Sequence, residues 1–175
     1  MSKDDEYIDR VLSGETNAFR YFLERYKDMA FNIAVSIIKD DQYGEEIVQD
    51  AFMKAFNALK SFNRSSKFKS WFYRIVVNES FQRLKKLKKD QSLLEFTEVQ
   101  ELSRDSLQEV QNEKTEQVVK LIKNLPARES LALNLFYLEE NSLKEIADIT
   151  GWTLANIKVI LHRARKNIRV QLGKT

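Results

Sequence analysis

The chain of 175 residues has a net charge of +3, 43% hydrophobic residues, four glycines and one proline. Turn-rich β architectures need more glycine and proline than this, so a mostly helical protein is expected. The absence of cysteine excludes disulfides, iron–sulfur clusters and thiolate zinc sites. The length suits one domain or two small ones.

The opening residues, MSKDDEYIDR, lack the apolar stretch of a signal peptide. No apolar run approaches the roughly 18 residues that a membrane span requires. We therefore expect a soluble, cytoplasmic protein that does not insert directly into a membrane.

Charged residues are segregated along the chain. Basic residues dominate from Lys60 to Lys89, acidic residues dominate from Asp90 to Glu116, and only basic charges follow Asp148. Two basic blocks separated by an acidic one predict two anion-binding surfaces on separate modules.

Apolar residues in the first part of the chain recur at three- and four-residue steps, the pattern of amphipathic helices. This periodicity predicts helices at residues 7–12, 18–38, 45–59 and 67–87. Asn17 is the expected N-cap of the second helix, and Asp40, Asp41 and Gly44 are expected to separate the second helix from the third. In the fourth helix the residues expected to lie outside the core are Trp71, Tyr73, Arg74, Asn78, Phe81, Gln82 and Arg83.

Weak periodicity and acidic bias after residue 88 indicate a linker. Helices are expected again at 116–124 and 127–137, with Leu125-Pro126 restarting the chain between them, since proline suits a first helical turn. Two further helices close the chain. The predicted fold is all-α, with two small helical domains, 1–88 and 116–175, joined by an acidic linker at 89–115. The second domain contains a helix-turn-helix.

The helix-turn-helix is the strongest local pattern. Ser142 and Glu145 have the spacing of a capping box, and small Ala147 suits a close helix crossing. Gly151 suits a tight turn that requires positive φ. Thr153 can cap the second helix.

The second helix of this motif should place Leu154, Ile157, Leu161, Ala164 and Ile168 inward. The outward face, which could enter a major groove, comprises Ala155, Asn156, Lys158, Val159, His162, Arg163 and Lys166. Asparagine pairs with adenine edges and Lys or Arg with guanine. The alternative is an amphipathic helix pair with a solvated basic face, in which His162 is a bystander and Val159 is partly buried.

The segment from residue 67 to 86 interleaves aromatic and basic residues, a combination that binds single-stranded DNA through stacking and phosphate contacts. The candidate residues are Lys67, Trp71, Tyr73, Arg74, Asn78, Phe81, Gln82, Arg83, Lys85 and Lys86. The alternative is that the aromatic side chains belong to the core and the cations are simply solvated.

Three segments, at residues 45–56, 68–78 and 125–165, resemble in order and spacing the extracytoplasmic-function sigma factors of bacterial RNA polymerase. The resemblance implies that the first domain binds core polymerase and captures the melted minus-ten element, and that the helix-turn-helix reads the minus-thirty-five element. It implies polymerase contacts at Glu46, Gln49, Asp50 and Phe52. Thr150, at a position that is usually apolar in the family, and the pair Ala155-Asn156 depart from the family pattern, so the base preference cannot be copied from relatives.

Members of this family are commonly held inactive by an anti-sigma protein that is often membrane-anchored, and the resemblance implies such a partner here. No nucleophile–base pair, metal cluster or phosphate-binding loop stands out, so we expect neither an enzyme nor a bound cofactor or metal. Two other hypotheses remain open: a stand-alone helix-turn-helix regulator, and an adaptor that binds only proteins.

Overall fold

The computed structural model describes residues 1–94 and 113–173. These residues contain α-helices and short helical turns but no strand, which confirms the all-α prediction. The α-helices are α1 (Lys3–Leu12), α2 (Arg20–Ile38), α3 (Asp41–Ala58), α4 (Phe68–Leu94), α5 (Glu113–Lys123), α6 (Ala127–Leu133), α7 (Leu143–Thr150) and α8 (Leu154–Gly173). Among the helices of these ranges, none combines the length and apolar character that a membrane crossing requires.

The helix ends differ from the predicted ones where side chains cap the backbone. Helix α1 starts earlier than expected because Ser2 and Asp5 form a capping box. The prediction that Asn17 caps α2 is wrong, since Thr16–Phe19 forms a 3₁₀ turn that leads into α2 without a side-chain cap.

The predicted acidic linker overlaps two helices at its ends. Helix α4 continues to Leu94, beyond the predicted end at residue 87, and α5 begins at Glu113. The remaining linker residues, 95–112, lie outside the described residues.

Helices α1 to α4 form an N-terminal bundle around an aromatic core. Phe22 and Phe72 are completely buried, and Phe52 stacks on Phe72 with ring centroids 4.5 Å apart. Phe68 lies 4.1 Å from Phe22, measured between centroids. Large aromatic side chains bury much apolar area each, so this cluster supplies much of the packing that holds α2, α3 and α4 together.

Gly44 lies inside α3 and is buried, so the expectation that it separates two helices is wrong. A Cβ at this position would lie 2.8 Å from Val35 Cγ2 and 3.2 Å from Phe31 Cε2. The glycine therefore permits a close approach of α3 to α2. The helix begins after Asp40, whose side chain accepts a hydrogen bond from Tyr43 N at 2.9 Å.

Helices α5 to α8 form a C-terminal bundle. Its core contains Leu131, Leu135, Ile146, Ile149 and Ile157, all fully buried. Pro126 occupies the N-cap position of α6, and the helical stretch predicted at 127–137 is divided into α6 and a π-helical turn, Asn134–Leu138.

The two bundles contact each other through α4 with α7 and α2 with α6. Asn134 Nδ2 donates a hydrogen bond to Asn32 O at 3.1 Å, and Lys39 Nζ donates one to Ser130 Oγ at 2.6 Å. These contacts are polar and local, of the kind that a change of domain arrangement can break without unfolding either bundle.

Replacing Gly44 with alanine is expected to lower the free energy of unfolding by about 1 kcal/mol, because overpacking against the stiff Val35 outweighs the helix propensity of alanine. Urea unfolding measures the change. Gly173→Ala is the control, since a Cβ at Gly173 has no heavy atom within 4 Å among the described residues. Equal stability of Gly44→Ala and the unaltered chain would contradict the close approach.

Candidate nucleic-acid interface

The first helix of the helix-turn-helix is α7, and hydrogen bonds between neighbouring residues of the chain define where it begins. Ser142 Oγ accepts from Glu145 N at 3.1 Å, and Glu145 Oε2 accepts from Ser142 N at 2.8 Å, which confirms the capping box. The Ser142 N–H and the nearby Lys69 and Lys67 lower the pKa of Glu145. Helix α7 ends at Gly151, whose φ of 76° confirms the predicted left-handed turn.

Thr150, the residue that departs from the family pattern, contributes to this turn. Its hydroxyl donates to Ile146 O at 2.7 Å and accepts from Trp152 N at 3.1 Å. The polar side chain therefore satisfies backbone groups at the end of α7 that would otherwise need another partner. Thr153 then caps α8 as predicted, with its Oγ1 accepting from Asn156 N at 3.1 Å.

The buried side of α8 agrees with the prediction at Ile157, Leu161 and Ala164. Ile160 is also buried, which the sequence pattern missed, and Ile168 is partly buried. The inward placement of Leu154 is wrong, since this side chain is 49% exposed. As the first residue of α8, Leu154 lies beside the turn rather than over the core.

The opposite face of α8 is open to solvent. Six of its seven predicted base-reading residues are exposed: Ala155, Lys158, Val159, His162, Arg163 and Lys166. The seventh, Asn156, is half-buried at the edge of a cleft between the bundles. A helix that presents an amide, lysines and an arginine outward has the donors and acceptors that major-groove readout requires.

On α4 the structure separates core aromatics from exposed groups. Tyr73 is completely buried, its ring packs against Tyr26, and burial raises the pKa of its hydroxyl. The expectation that Tyr73 lies outside is therefore wrong, and a base cannot reach its ring. Trp71 is partly buried, with its ring centroid 4.7 Å from that of Phe62.

The remaining candidates, on α4 and at Lys67 just before it, are accessible but face different neighbours. Exposed or partly exposed are Lys67, Arg74, Asn78, Phe81, Gln82, Arg83, Lys85 and Lys86. Lys67 Nζ lies 3.6 Å from Glu145 Oε1, and a Cβ on Gly151 would lie 3.3 Å from Arg74 Nη2. In this arrangement Lys67 therefore pairs with the helix-turn-helix, and Arg74 lies beside its turn.

A cleft of about 660 Å³ separates the C-terminal half of α4 from the C-terminal bundle. Phe81, Lys85 and Lys88 line one wall, and Asn156 and Arg163 of α8 line the other. The two predicted DNA-binding faces thus oppose each other across one space, which sequence periodicity could not reveal because it depends on how the bundles dock.

The predicted polymerase contacts lie on α3. Glu46, Gln49 and Asp50 are exposed, whereas Phe52 is buried against Phe72. Phe52 therefore supports this surface from within, and direct contact by its ring would require rearrangement.

An apolar surface next to these residues was not identified from the sequence. A shallow groove of about 280 Å³ is lined by Leu23, Met53 and Phe56, and Met53 is 65% exposed. Phe56 follows the apolar periodicity of α3, and only the packing of α2 on α3 shows that its side chain is 40% exposed.

The family comparisons agree with this two-bundle organisation. Residues 22–90 match the Sigma-70 region 2 model, and residues 115–168 match the Sigma-70, region 4 model. The chain is 30% identical to RNA polymerase sigma factor SigV of Bacillus subtilis, covering 85% of this chain and 87% of the relative.

Two further relatives match over almost the whole chain. ECF RNA polymerase sigma factor SigW of Bacillus subtilis is 29% identical, covering 94% of both chains. ECF RNA polymerase sigma-E factor of Escherichia coli is also 29% identical, covering 94% of this chain and 92% of the relative.

Two solved structures share the fold. The sigma factor RpoE from Bartonella quintana, in complex with the anti-sigma factor NepR, matches with a TM-score of 0.74 and 23% identity over 89% of this chain and 96% of that one. CnrH in complex with the cytosolic domain of CnrY matches with a TM-score of 0.72 and 20% identity over 99% of both chains.

The Lys39–Ser130 contact between the bundles predicts a pH-dependent stability. Partial burial of the Lys39 ammonium and, as the smaller cause, the nearby Lys123 together lower its pKa from 10.5 to about 8. A chain in which Lys39 is exposed to water therefore binds more protons between about pH 8 and 10.5 than a chain in which Lys39 is partly buried. The arrangement with the two bundles in contact consequently gains stability as pH rises from about 8 toward 10.5.

We expect Lys39→Gln to remove that gain. Urea unfolding at about pH 7 and about pH 10 measures it as the stability difference between the unaltered chain and the variant, in which other titrating groups cancel. Lys27→Gln, at an exposed lysine on the same helix, is the control. A difference that is equal at both pH values would contradict this assignment.

Proposed function

We propose that this chain, which belongs to the extracytoplasmic-function sigma factors of bacterial RNA polymerase, directs core polymerase to specific promoters through both of its bundles. The observation that carries the proposal is the exposed, basic face of α8, which is the second helix of a fully formed helix-turn-helix. The chain initiates transcription as a specificity subunit and catalyses no reaction itself.

The C-terminal bundle, within the proposed domain 116–175, reads the minus-thirty-five element as duplex. Helix α8 enters the major groove, with Asn156, Lys158 and Arg163 toward base edges and Ala155, Val159, His162 and Lys166 beside them. Exposure of this face and its donors and acceptors support the assignment. Cations at the end of α8 add salt-dependent phosphate contacts.

The N-terminal bundle, within the proposed domain 1–88, binds core polymerase and the melted minus-ten strand. Exposed Glu46, Gln49 and Asp50 form the polymerase surface on α3. The strand surface is on α4, where exposed cations can follow phosphates and the partly exposed Trp71 and Phe81 can accept unstacked bases.

The two bundles must separate for this function. A minus-ten and a minus-thirty-five element are about 85 Å apart along duplex DNA at about 3.4 Å per base pair. In the structure the two proposed DNA-binding faces instead oppose each other across the 660 Å³ cleft, Lys67 pairs with Glu145 of the helix-turn-helix, and Arg74 lies beside Gly151. The free protein is therefore expected to bind promoter DNA weakly.

An anti-sigma protein is the proposed regulatory partner. A solved structure of similar fold holds a sigma factor in complex with an anti-sigma factor, which supports the same kind of partner for this chain. In this family such a partner is often anchored to a membrane. The site of action is the cytoplasm, where core polymerase and chromosomal DNA are both present.

Run-off transcription with core polymerase on fragmented genomic DNA, followed by alignment of start sites, tests the function and returns both promoter elements. We expect Arg163→Ala to reduce initiation about tenfold, since one good contact to a base edge contributes about 1–3 kcal/mol. Lys27→Ala, on an exposed part of α2, is the matched control and should initiate normally.

Two results would overturn the proposal. Tight operator binding by the purified chain without association with core polymerase would identify a stand-alone regulator. Normal DNA-dependent activity in a combined Lys158→Ala and Arg163→Ala variant would identify an adaptor that binds only proteins.

A further inference from the structure

Arg83 joins the two surfaces that the proposed function assigns to the N-terminal bundle. It projects from the strand-binding helix α4 toward α3, where its Nη1 donates to Glu46 Oε2 at 2.9 Å. Its Nη2 lies 3.8 Å from Asp50 Oδ2. A predicted DNA contact is therefore held by two predicted polymerase contacts.

The helical spacing of the acids explains this arrangement. Glu46 and Asp50 are four residues apart on α3, so their carboxylates share one face of the helix. The planar guanidinium of Arg83 presents a nitrogen to each of them and lies 5.5 Å from the centroid of the Tyr43 ring, over its face. The ring and the two acids together hold the guanidinium against α3.

The exposure of the three side chains is unequal. Arg83 is 26% exposed, whereas Glu46 and Asp50 remain 47% and 52% exposed. An incoming protein can therefore reach the carboxylates before it reaches the guanidinium. The groups that best compete with Arg83 for two half-exposed carboxylates are cationic.

Arg83 also faces away from the C-terminal bundle. Phe81, Lys85 and Lys88 line the cleft toward that bundle, whereas Gln82, Arg83 and Lys86 line a groove of about 170 Å³ with Asp50. Separation of the bundles does not by itself release Arg83, so its availability depends on what binds α3.

We propose that Arg83 couples polymerase binding to strand binding. In the free protein Glu46 and Asp50 hold Arg83 and repel DNA phosphates. When cationic groups on core polymerase engage the two carboxylates, Arg83 is released and binds a phosphate of the separated strand. This inference rests on the proposed function. It adds that the polymerase surface facing Glu46 and Asp50 is cationic, and that Arg83 couples polymerase binding to the strand-binding surface.

The test measures anisotropy of a labelled, mixed-sequence single-stranded DNA 20-mer with the full chain at low salt. Glu46→Gln combined with Asp50→Asn should tighten binding about three- to tenfold, the range expected when two partly exposed ion pairs cease to compete. In a background with Arg83→Gln, the same pair of substitutions should produce no such gain.

Glu45→Gln is the control for the loss of negative charge. It removes one charge from the same turn of α3, whereas the acids that hold Arg83 are Glu46 and Asp50. It should tighten binding by much less. With saturating core polymerase, the unaltered chain should gain affinity for the strand, and the Arg83→Gln variant should gain less, because it lacks the cation that polymerase binding releases.

Three outcomes would overturn the coupling: no gain in the double variant, the same gain without Arg83, or a gain from Glu45→Gln of equal size. Circular dichroism and urea unfolding of each variant confirm that the comparison is between folded chains. Failure of the proposed function gives a different signature, because the unaltered chain would then not support initiation by core polymerase. If initiation succeeds and the Arg83-dependent gain is absent, the coupling is wrong and the function stands.

Discussion

Burial of one apolar stripe on α4 is the interaction on which the rest of the structure depends. Phe68, Phe72 and Val76 are almost completely buried against α2 and α3, and burial of side chains of this size stabilises a fold by about 1.5–3 kcal/mol each. Once this side of α4 is fixed, the directions in which its other described side chains project are fixed as well.

The basic residues of α4, and Lys67 just before it, are consequently distributed over three directions. Lys67 pairs with Glu145 and Arg74 lies beside Gly151 of the helix-turn-helix, Lys85 and Lys88 face the cleft, and Arg83 faces α3. Residues that form one continuous basic segment in the sequence thus face three different parts of the free protein. Binding of polymerase and opening of the bundles would act on different members of the set.

Predictions based on local hydrogen bonding were the most accurate. The capping box of Ser142 and Glu145, the positive φ of Gly151 and the Thr153 cap are all present, because each depends on residues within one turn of the chain. One such prediction failed, since Asn17 does not cap α2 and a 3₁₀ turn leads into that helix instead. The other assignments that failed concern Tyr73, Leu154 and Gly44. Whether such residues are exposed, or stand in a helix at all, depends on which other helix packs against them, and periodicity carries that information only partly.

The sequence by itself determined the family, the helical class, the helix-turn-helix and the identity of its outward face, since the capping spacings, the apolar steps and the segregated charges are properties of neighbouring residues. Only the tertiary structure decided that the two predicted DNA-binding faces oppose each other, that Tyr73 and Phe52 belong to the core, and that Arg83 is held by Glu46 and Asp50. These outcomes depend on contacts between residues far apart in the chain, whose formation depends on shape and packing rather than on any local pattern.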